Sequence, residues 1–254
     1  MLEVRHVVRR YGRYTALNGV SFEARPHEIV GYLGPNGSGK STTAHMLAGL
    51  ASPDEGEIRF EGRNIQACLL EYKNRLGYIP EAQHLYGYLS GREYLEMVGS
   101  LRRMPYDVMN RRIDGLLQLF SLYHQRHSPI ASYSKGMRQK ILISAAILHN
   151  PDILILDEPD SGLDITSAVL FKELVRRLAI AGKVVLYSSH IFEVVEQVCT
   201  RVLILCQGRL VADDSVQRLR ELMRAGSLQE IFAQLVSQED PVATADSIVD
   251  VITN

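Results

Sequence analysis

The sequence is organised around one stretch, Gly34-Pro35-Asn36-Gly37-Ser38-Gly39-Lys40-Ser41. Its spacing fits G-x-x-x-x-G-K-[S/T], the pattern of a phosphate-binding loop. Glycines let backbone N–H groups turn toward a phosphate without clashes from Cβ atoms, and a following helix N-terminus adds partial positive charge. The alternative is a glycine-rich turn that binds nothing.

The flanking residues supply the context that such a loop needs. Residues 28–33 form a short apolar stretch typical of a buried strand, and residues 41–50 have the apolar spacing of a helix. In that arrangement Lys40 can reach the β- and γ-phosphates of a nucleotide, and the Ser41 hydroxyl can ligate Mg²⁺. The sequence therefore predicts a nucleotide-binding protein.

Length, charge and composition limit the classes of protein to which the sequence can belong. The 254 residues allow one large domain or two small ones. The formal net charge of -1 argues mildly against nucleic acid binding, since no overall positive field is present. Three widely spaced cysteines favour free thiols in a reducing compartment. No apolar run approaches the ~20 residues that span a bilayer, so we expect a cytoplasmic protein that reaches a membrane only through a partner.

Alternation of apolar and polar residues predicts some of the strands, and short apolar runs, continuous at residues 153–156, predict the others. Alternation at residues 2–8 and 19–24 predicts an N-terminal antiparallel β-subdomain with one buried face, in which Val4 faces the core and Glu3 the solvent. Further strands are predicted at residues 56–62, 75–80, 152–157 and 183–188, and a hairpin at residues 201–213.

Helical patterns fill the middle third. Ser90 and Glu93 have the spacing of a capping box, and Ser134 can cap a later helix, so residues from about 84 to 150 form a predicted helical insertion. Strands alternating with helices around a phosphate loop predict an α/β sandwich with a mostly parallel sheet. Residues 214–254 are predicted to form a helical tail, in which Ser227 and Glu230 have the spacing of a second capping box.

Two carboxylates follow the apolar run at residues 153–156. Because the carboxyl end of a parallel strand lies at the mouth of an α/β site, Asp157 would hold Mg²⁺ and Glu158 would orient and deprotonate an attacking water. The alternative is a solvated acidic turn before Pro159. The phosphate loop argues against that alternative, because P-loop ATPases need this second carboxylate.

A second anion site is possible between those two motifs. Residues 133–140 read Tyr-Ser-Lys-Gly-Met-Arg-Gln-Lys, which combines a serine cap, a glycine and basic residues at a helix N-terminus. From these residues alone, an ordinary capped helix is an equal alternative.

Taken in order, these motifs resemble the ATP-binding subunit of ABC transporters, a P-loop NTPase, over nearly all of residues 1–213. The resemblance rests on an aromatic loop at Tyr11, Walker A at 34–41, a Q-loop at 78–81, a signature at 134–138, Walker B at 153–158, a D-loop at 161–164 and a switch histidine at His190. The signature Tyr-Ser-Lys-Gly-Met replaces L-S-G-G-Q, and Glu81 stands where many members have glutamine. Both departures resemble the branch that drives exporters.

The resemblance implies a set of site residues for ATP and Mg²⁺. Catalytic roles fall to Lys40, Glu81, Glu158 and His190. Contacts with ATP fall to Tyr11, Gly34, Pro35, Asn36, Gly37, Ser38, Gly39, Lys40, Ser41, Thr42, Ser134, Gly136 and Asp164. Metal contacts fall to Ser41, Asp157 and Glu81. Tyr11 would stack on adenine, and His190 would hydrogen-bond the γ-phosphate.

The resemblance also implies partners. Ser134 and Gly136 would contact the ATP of a second copy in a head-to-tail dimer, with Asp164 at the interface. An integral membrane permease would dock near residues 81–101, holding the protein at the inner face of the cell membrane. The apolar residues there form either an exposed docking patch or part of the protein's own core.

Two other classes remain as alternatives. The first is a soluble ABC-type ATPase for repair, chromosome organisation or translation, although this sequence has neither a long coiled coil nor a second nucleotide motif. The second is a small-molecule or nucleoside kinase, which would have no need for the signature or for Glu158. No nucleic acid partner is expected, and the transported substrate is not indicated.

Overall fold

The computed structural model describes residues 1–236 and residue 251. Within these residues the strands are β1 (Leu2–Tyr11), β2 (Tyr14–Ala24), β3 (Ile29–Leu33), β4 (Glu55–Phe60), β5 (Arg63–Asn64), β6 (Leu76–Ile79), β7 (Ile153–Asp157), β8 (Val184–Ser188), β9 (Arg201–Cys206) and β10 (Arg209–Asp214). The helices are α1 (Lys40–Leu47), α2 (Leu69–Asn74), α3 (Gly91–Leu101), α4 (Tyr106–Leu119), α5 (Lys135–Ile147), α6 (Ile165–Ile180), α7 (Phe192–Val198), α8 (Val216–Met223) and α9 (Leu228–Val236).

The strands form two sheets. The first has the order β2-β1-β4-β5 with antiparallel pairing, and the second has the order β10-β9-β3-β8-β7-β6. In the second sheet only β10 runs antiparallel to its neighbour. Helices α3, α4 and α5 lie between β6 and β7 in the chain. The predicted fold class, with its antiparallel N-terminal sheet, mostly parallel central sheet and helical insertion, is confirmed.

The central parallel strands bring the functional motifs to one edge. Every residue of β3, β7 and β8 is buried, as expected for parallel strands covered on both faces. Asp157 at the end of β7 pairs with Ser188 at the end of β8, and Tyr32 of β3 also pairs with Ser188. The phosphate loop follows β3 directly. The loop and the polar ends of β7 and β8 therefore meet at the same edge of the sheet.

The first strand departs from simple alternation. Glu3 is buried, so the prediction that it faces solvent is wrong. It lies on β1, which pairs with a strand at each edge, and its partners across the sheet are Glu23 of β2 and Arg59 of β4. Its carboxylate accepts a hydrogen bond from the Arg5 guanidinium. The register also shifts after Val4. A positively charged neighbour makes the burial of this carboxylate tolerable.

The described part of the tail contains the helices α8 and α9. Ser227 Oγ accepts a hydrogen bond from Glu230 N at 3.2 Å, which is half of the expected capping box. The Glu230 carboxylate accepts from Gly226 N at 2.8 Å, one residue before the predicted donor. The rest of the predicted helical tail, residues 237–250 and 252–254, lies outside the described residues. None of the described helices has both the length and the apolar character required to cross a membrane.

The capping box of α3 provides a test of the fold. Ser90 Oγ accepts a hydrogen bond from Glu93 N at 3.2 Å, and the Glu93 carboxylate accepts from Ser90 N at 2.8 Å. Ser90→Ala removes the acceptor for Glu93 N and keeps the backbone N–H that donates to the Glu93 carboxylate, so we expect the free energy of unfolding to fall by about 1 kcal/mol. Urea denaturation measures the change. Ser100→Ala, at an exposed position of the same helix, is the control. Equal midpoints for the two variants would contradict the capping role.

Candidate functional site

A cavity of about 660 Å³ opens at the carboxyl edge of the central sheet. Its wall combines the phosphate loop and the start of α1 with residues at the ends of β7 and β8, the N-terminus of α7 and one residue of α9. The lining residues are Tyr14, Ala16, Leu33, Gly34, Pro35, Asn36, Gly37, Gly39, Lys40, Ser41, Thr42, Glu81, Asp157, Glu158, Ser189, His190, Phe192 and Phe232. Predicted loop, metal and catalytic residues thus converge on one cavity.

The backbone of the loop has the geometry of an anion cradle. Gly37 and Gly39 have φ values of 76° and 106°, in the left-handed region that favours glycine. A Cβ atom on Gly34 would lie 2.3 Å from Ser38 Oγ, so a side chain there would displace the loop. Gly39 caps α1 without a side-chain acceptor, which leaves first-turn N–H groups available to an anion. Ser38 Oγ is buried and has no partner among the described residues.

Lys40 supplies the positive charge at this cradle. Its ammonium donates to Gly34 O at 2.6 Å and to Pro35 O at 3.2 Å. Burial lowers the pKa of Lys40, and the nearby carboxylates of Glu158, Asp157 and Glu81 oppose that shift. Phosphate oxygens are stronger acceptors than the neutral carbonyls that hold the ammonium here. Lys40 can therefore bind a polyphosphate that enters the loop.

The two carboxylates at the end of β7 have different surroundings. Asp157 is buried and accepts a hydrogen bond from Ser188 Oγ at 2.5 Å. Burial raises the pKa of Asp157, the Ser188 hydrogen bond opposes the shift, and the Glu81 carboxylate adds to it. Glu158 has a φ of 48°, which lies in the left-handed region of the backbone that is uncommon for residues other than glycine. Both carboxylates line the cavity, Asp157 bonded to Ser188 and Glu158 beside His190.

Glu158 and His190 are in direct contact, a pairing that the sequence did not predict. His190 Nδ1 lies 2.7 Å from Glu158 Oε2. Burial raises the pKa of Glu158, and the contact with His190 opposes that shift. The two residues follow the ends of β7 and β8, which are neighbouring strands. Sequence patterns do not show which strands are neighbours, so they could not predict this contact.

The aromatic residue on the cavity wall is Tyr14. Its hydroxyl donates to Gly37 O at 2.6 Å, which ties it to the phosphate loop. The predicted adenine partner, Tyr11, is outside the cavity lining in the described structure, and the Arg9 guanidinium lies 4.9 Å from its ring centroid. The two tyrosines flank one turn at residues 12–13. Sequence reasoning therefore located the aromatic turn but not the tyrosine that reaches the cavity.

The predicted trans-acting residues lie together, outside this cavity. Ser134 Oγ accepts from Met137 N at 3.2 Å and caps α5, while the Asp164 carboxylate accepts from Ser167 N at 2.8 Å and caps α6. A Cβ atom on Gly136 would lie 2.8 Å from Gly162 O. The start of α5 and the 161–164 loop are therefore adjacent to each other.

A glutamine pair connects two of the motifs and was not predicted. Gln139 of α5 is buried and donates to Pro159 O at 2.7 Å. Its carbonyl oxygen accepts from Gln83 Nε2 at 2.7 Å. The segment after Glu81 is thus linked by hydrogen bonds to the residue that follows Glu158.

The segment after Glu81 combines buried and exposed apolar residues. Leu85 packs against the core of the helical region. Tyr86 and Tyr88 are 53% and 78% exposed, with ring centroids 5.9 Å apart. The segment therefore has a partly buried leucine packed against the core and two tyrosines on the surface.

A glycine-rich loop between a buried strand and a helix, with a lysine at its end and paired carboxylates on a nearby strand, defines a P-loop nucleotide-binding protein. The family model for the ABC transporter matches residues 17–161. The chain belongs to the ABC transporter family, as one of its ATP-binding subunits. Members of this ATPase family bind ATP, and membership implies ATP hydrolysis.

Named relatives agree with this assignment. The chain is 35% identical over 218 residues to the ABC transporter ATP-binding protein NatA of Bacillus subtilis, covering 85% of this chain and 89% of NatA. It is 32% identical over 219 residues to the Nod factor export ATP-binding protein I of Ralstonia nicotianae, covering 86% of this chain and 68% of that protein. It is 35% identical over 212 residues to the linearmycin resistance ATP-binding protein LnrL of Bacillus subtilis, covering 84% and 68%.

Solved structures share the fold. An ATP binding subunit of an ABC transporter superposes with a TM-score of 0.87 at 32% identity, covering 92% of this chain and 99% of that one. The dimeric cassette MJ0796, bound to ADP and Pi in a post-hydrolysis state, superposes with a TM-score of 0.77 at 23% identity, covering 85% and 98%.

Lys40→Ala tests the phosphate cradle. The substitution removes the ammonium held at the loop, so we expect ATP binding or hydrolysis to be lost. Equilibrium dialysis with labelled ATP and a phosphate-release assay measure the two. Lys73→Ala, in α2 and outside the cavity lining, is the matched control and should bind ATP normally. Normal binding and turnover by Lys40→Ala would contradict the assignment of the loop.

Proposed function

We propose that this protein hydrolyses Mg²⁺-ATP as a head-to-tail dimer and energises a separate membrane permease, in the direction of export. The observation that carries the proposal is the convergence of Lys40, Glu158 and His190 on one cavity at the phosphate loop. The ATPase domain would comprise residues 1–213, with a helical subdomain at about 84–150 and a tail at 214–254.

Binding of ATP would use the loop and an aromatic side chain. Backbone N–H groups of the loop and of the first turn of α1, together with the Lys40 ammonium, would hold the phosphates. Tyr14, already hydrogen-bonded to the loop and on the cavity wall, supports an adenine-stacking role better than Tyr11 does, since its ring is next to the phosphate site.

The residues present fit a magnesium ion that is completed by nucleotide. Among the described residues, no group of three or more His, Cys, Asp and Glu side chains could hold a metal alone. Ser41, Asp157 and Glu81 nevertheless line the cavity together. Mg²⁺ in such sites keeps waters and phosphate oxygens as ligands, so one hydroxyl and one or two carboxylates suffice. When bound, Mg²⁺ would neutralise charge on the phosphates.

Glu158 would act as the general base for water. Burial raises its pKa, which makes the carboxylate a better proton acceptor than a solvated one, and His190 at 2.7 Å orients it. His190 is 77% exposed at its side chain and can also reach a ligand in the cavity. It would thereby connect the γ-phosphate with the base. Glu81, on the same cavity wall, would assist at the metal or the water.

Dimerisation would supply the remaining contacts. Ser134 and Gly136 at the start of α5, with Asp164 nearby, are outside this chain's cavity and are free to meet the ATP of a second copy. Isologous pairing would make both sites equivalent. The dimeric relative bound to ADP and Pi has the same fold and supports this arrangement.

Coupling to a permease would use the exposed tyrosines after Glu81. Tyr86 and Tyr88 form a surface patch of the kind that marks a protein contact. The relatives named for Nod factor export and linearmycin resistance support export. The protein would then act at the cytoplasmic face of the cell membrane, without a nucleic acid partner.

The second candidate is an ABC-type ATPase that is not coupled to transport. Purification from membranes, followed by identification of the bound proteins, distinguishes the two. Recovery of an integral membrane protein supports coupling, and its loss in a Tyr86→Ala, Tyr88→Ala double variant would locate the contact. A protein recovered only from the soluble fraction would favour the second candidate.

Glu158→Gln separates binding from chemistry. The amide keeps the size of the side chain but lacks a basic oxygen, so hydrolysis should fall by roughly 10²–10⁴-fold while ATP binding remains. Because opening of the dimer would require cleavage of ATP, the variant should accumulate as an ATP-bound dimer in sedimentation experiments. Asp157→Asn, which weakens metal binding, should instead impair the bound state. Hydrolysis by Glu158→Gln at the wild-type rate would exclude Glu158 as the base.

Ser134→Arg tests the trans contact. A bulky cation at the start of α5 should leave ATP binding by the monomer intact and block pairing, because it occupies the position where the partner's γ-phosphate docks. Size-exclusion chromatography with ATP, in the Glu158→Gln background, measures pairing. Ser100→Arg on α3 is the control. If Ser134→Arg still pairs, the serine is only a helix cap.

A further inference from the structure

The described part of the tail reaches the nucleotide cavity. Phe232 of α9 lies on the cavity wall together with Lys40, Glu158 and His190. Its ring centroid is 5.0 Å from that of Phe192, at an interplanar angle of 55°. Tilted aromatic pairs at this separation are favourable beyond the area that they bury. The tail is therefore in contact with the site, although the family model ends at residue 161.

The helix that begins at Phe192 depends on such packing. It has seven residues, and its N-cap position, Ile191, provides no side-chain hydrogen bond. A helix this short is not stable alone, so tertiary contacts determine where its first turn lies. His190 precedes that turn by two residues, and its side chain is mostly exposed apart from the Glu158 contact. The position of His190 therefore depends on what holds Phe192.

A single carboxylate fastens both tail helices to α7. Glu196 Oε1 accepts a hydrogen bond from Leu228 N at 2.5 Å and pairs with the Arg220 guanidinium at 2.8 Å. Arg220 belongs to α8 and Leu228 begins α9. These two contacts fix α8 and α9 beside α7, in the position in which Phe232 packs against Phe192.

An apolar cluster extends the contact to the phosphate loop. Leu228 and Ile231 of α9 are fully buried in one cluster with Val195 of α7 and Leu33 of β3. Leu33 is the residue immediately before Gly34. The tail thus supports both segments that form the catalytic side of the cavity, the one before the phosphate loop and the one after His190.

We propose that Phe232 is a positioning residue of the ATP site: through Phe192 it holds His190 beside Glu158, and as part of the cavity wall it links docking of α9 to nucleotide occupancy. By thermodynamic linkage, a nucleotide that binds more tightly when α9 is docked also stabilises the docked position of α9, and by the same free energy. The inference rests on the proposed ATPase function of the cavity.

Tryptophan fluorescence tests the contact directly, because the chain contains no tryptophan. Phe232→Trp places the only tryptophan of the chain on the cavity wall, where it can be excited selectively over the tyrosines. Addition of ATP or ADP should change its emission, and the change should disappear in a Lys40→Ala background in which dialysis shows that nucleotide binding is lost. Leu235→Trp is the matched control, since Leu235 packs in the same tail cluster but is not part of the cavity lining. Its emission should respond much less.

The outcomes separate the inference from the proposed function. Equilibrium dialysis measures ATP binding independently of fluorescence. If ATP binds to Phe232→Trp by dialysis and the emission does not change, or changes equally in Leu235→Trp, the inference fails and the ATPase proposal stands. If the wild-type protein binds no ATP, both fail.

Steady-state kinetics test the positioning role. Phe232→Ala should lower kcat, by up to about 10²-fold for a misplacement near 1 Å, with a smaller change in KM. Phe232→Tyr keeps the ring and should restore kcat, whereas Leu235→Ala removes apolar volume from the same cluster without touching the cavity. In a His190→Ala background, Phe232→Ala should cause little further loss. Equal losses in Phe232→Ala and Leu235→Ala, or fully independent losses in the double variant, would overturn the inference.

Discussion

Parallel pairing of β3, β8 and β7 is the constraint on which the site depends. The backbone hydrogen bonds between these buried strands set their ends level, with Tyr32 opposite Ser188 and Ser188 opposite Asp157. A one-residue slip in such a strand would turn every side chain to the other face, and in β7 it would remove the Asp157 carboxylate from its hydrogen bond with Ser188. Strand register therefore brings the phosphate loop, the carboxylates and His190 to one place, where contacts such as that between His190 and Glu158 can form.

Features that depend only on residues close together in the sequence could be predicted. The phosphate loop, the Ser90 and Ser134 caps and the apolar run that ends at Asp157 each follow from residue type and spacing within a few positions. The fold class followed from the alternation of these segments. These features are local, so a single sequence contains the information needed to find them.

Contacts between distant segments could not be predicted in the same way. The pairing of His190 with Glu158 spans 32 positions and depends on β7 and β8 being neighbours. The choice of Tyr14 over Tyr11 on the cavity wall depends on a turn whose orientation is set by the strand pair around it. The burial of Glu3 accompanies a register shift after Val4 and a contact with Arg5, neither of which simple alternation shows. Phe232 reaches the site only because Glu196 and the apolar cluster place α9 there.

The Gln83–Gln139–Pro159 connection has a mechanical meaning. Gln139 is buried, and its amide is used on both sides, as acceptor from Gln83 and as donor to Pro159 O. A displacement of α5 that broke either bond would leave a buried polar group unsatisfied, at a cost of about 1–3 kcal/mol. Small displacements are therefore shared by all three segments. A displacement of the surface beside Tyr86 would therefore be transmitted through Gln83 and Gln139 to the turn that carries Glu158.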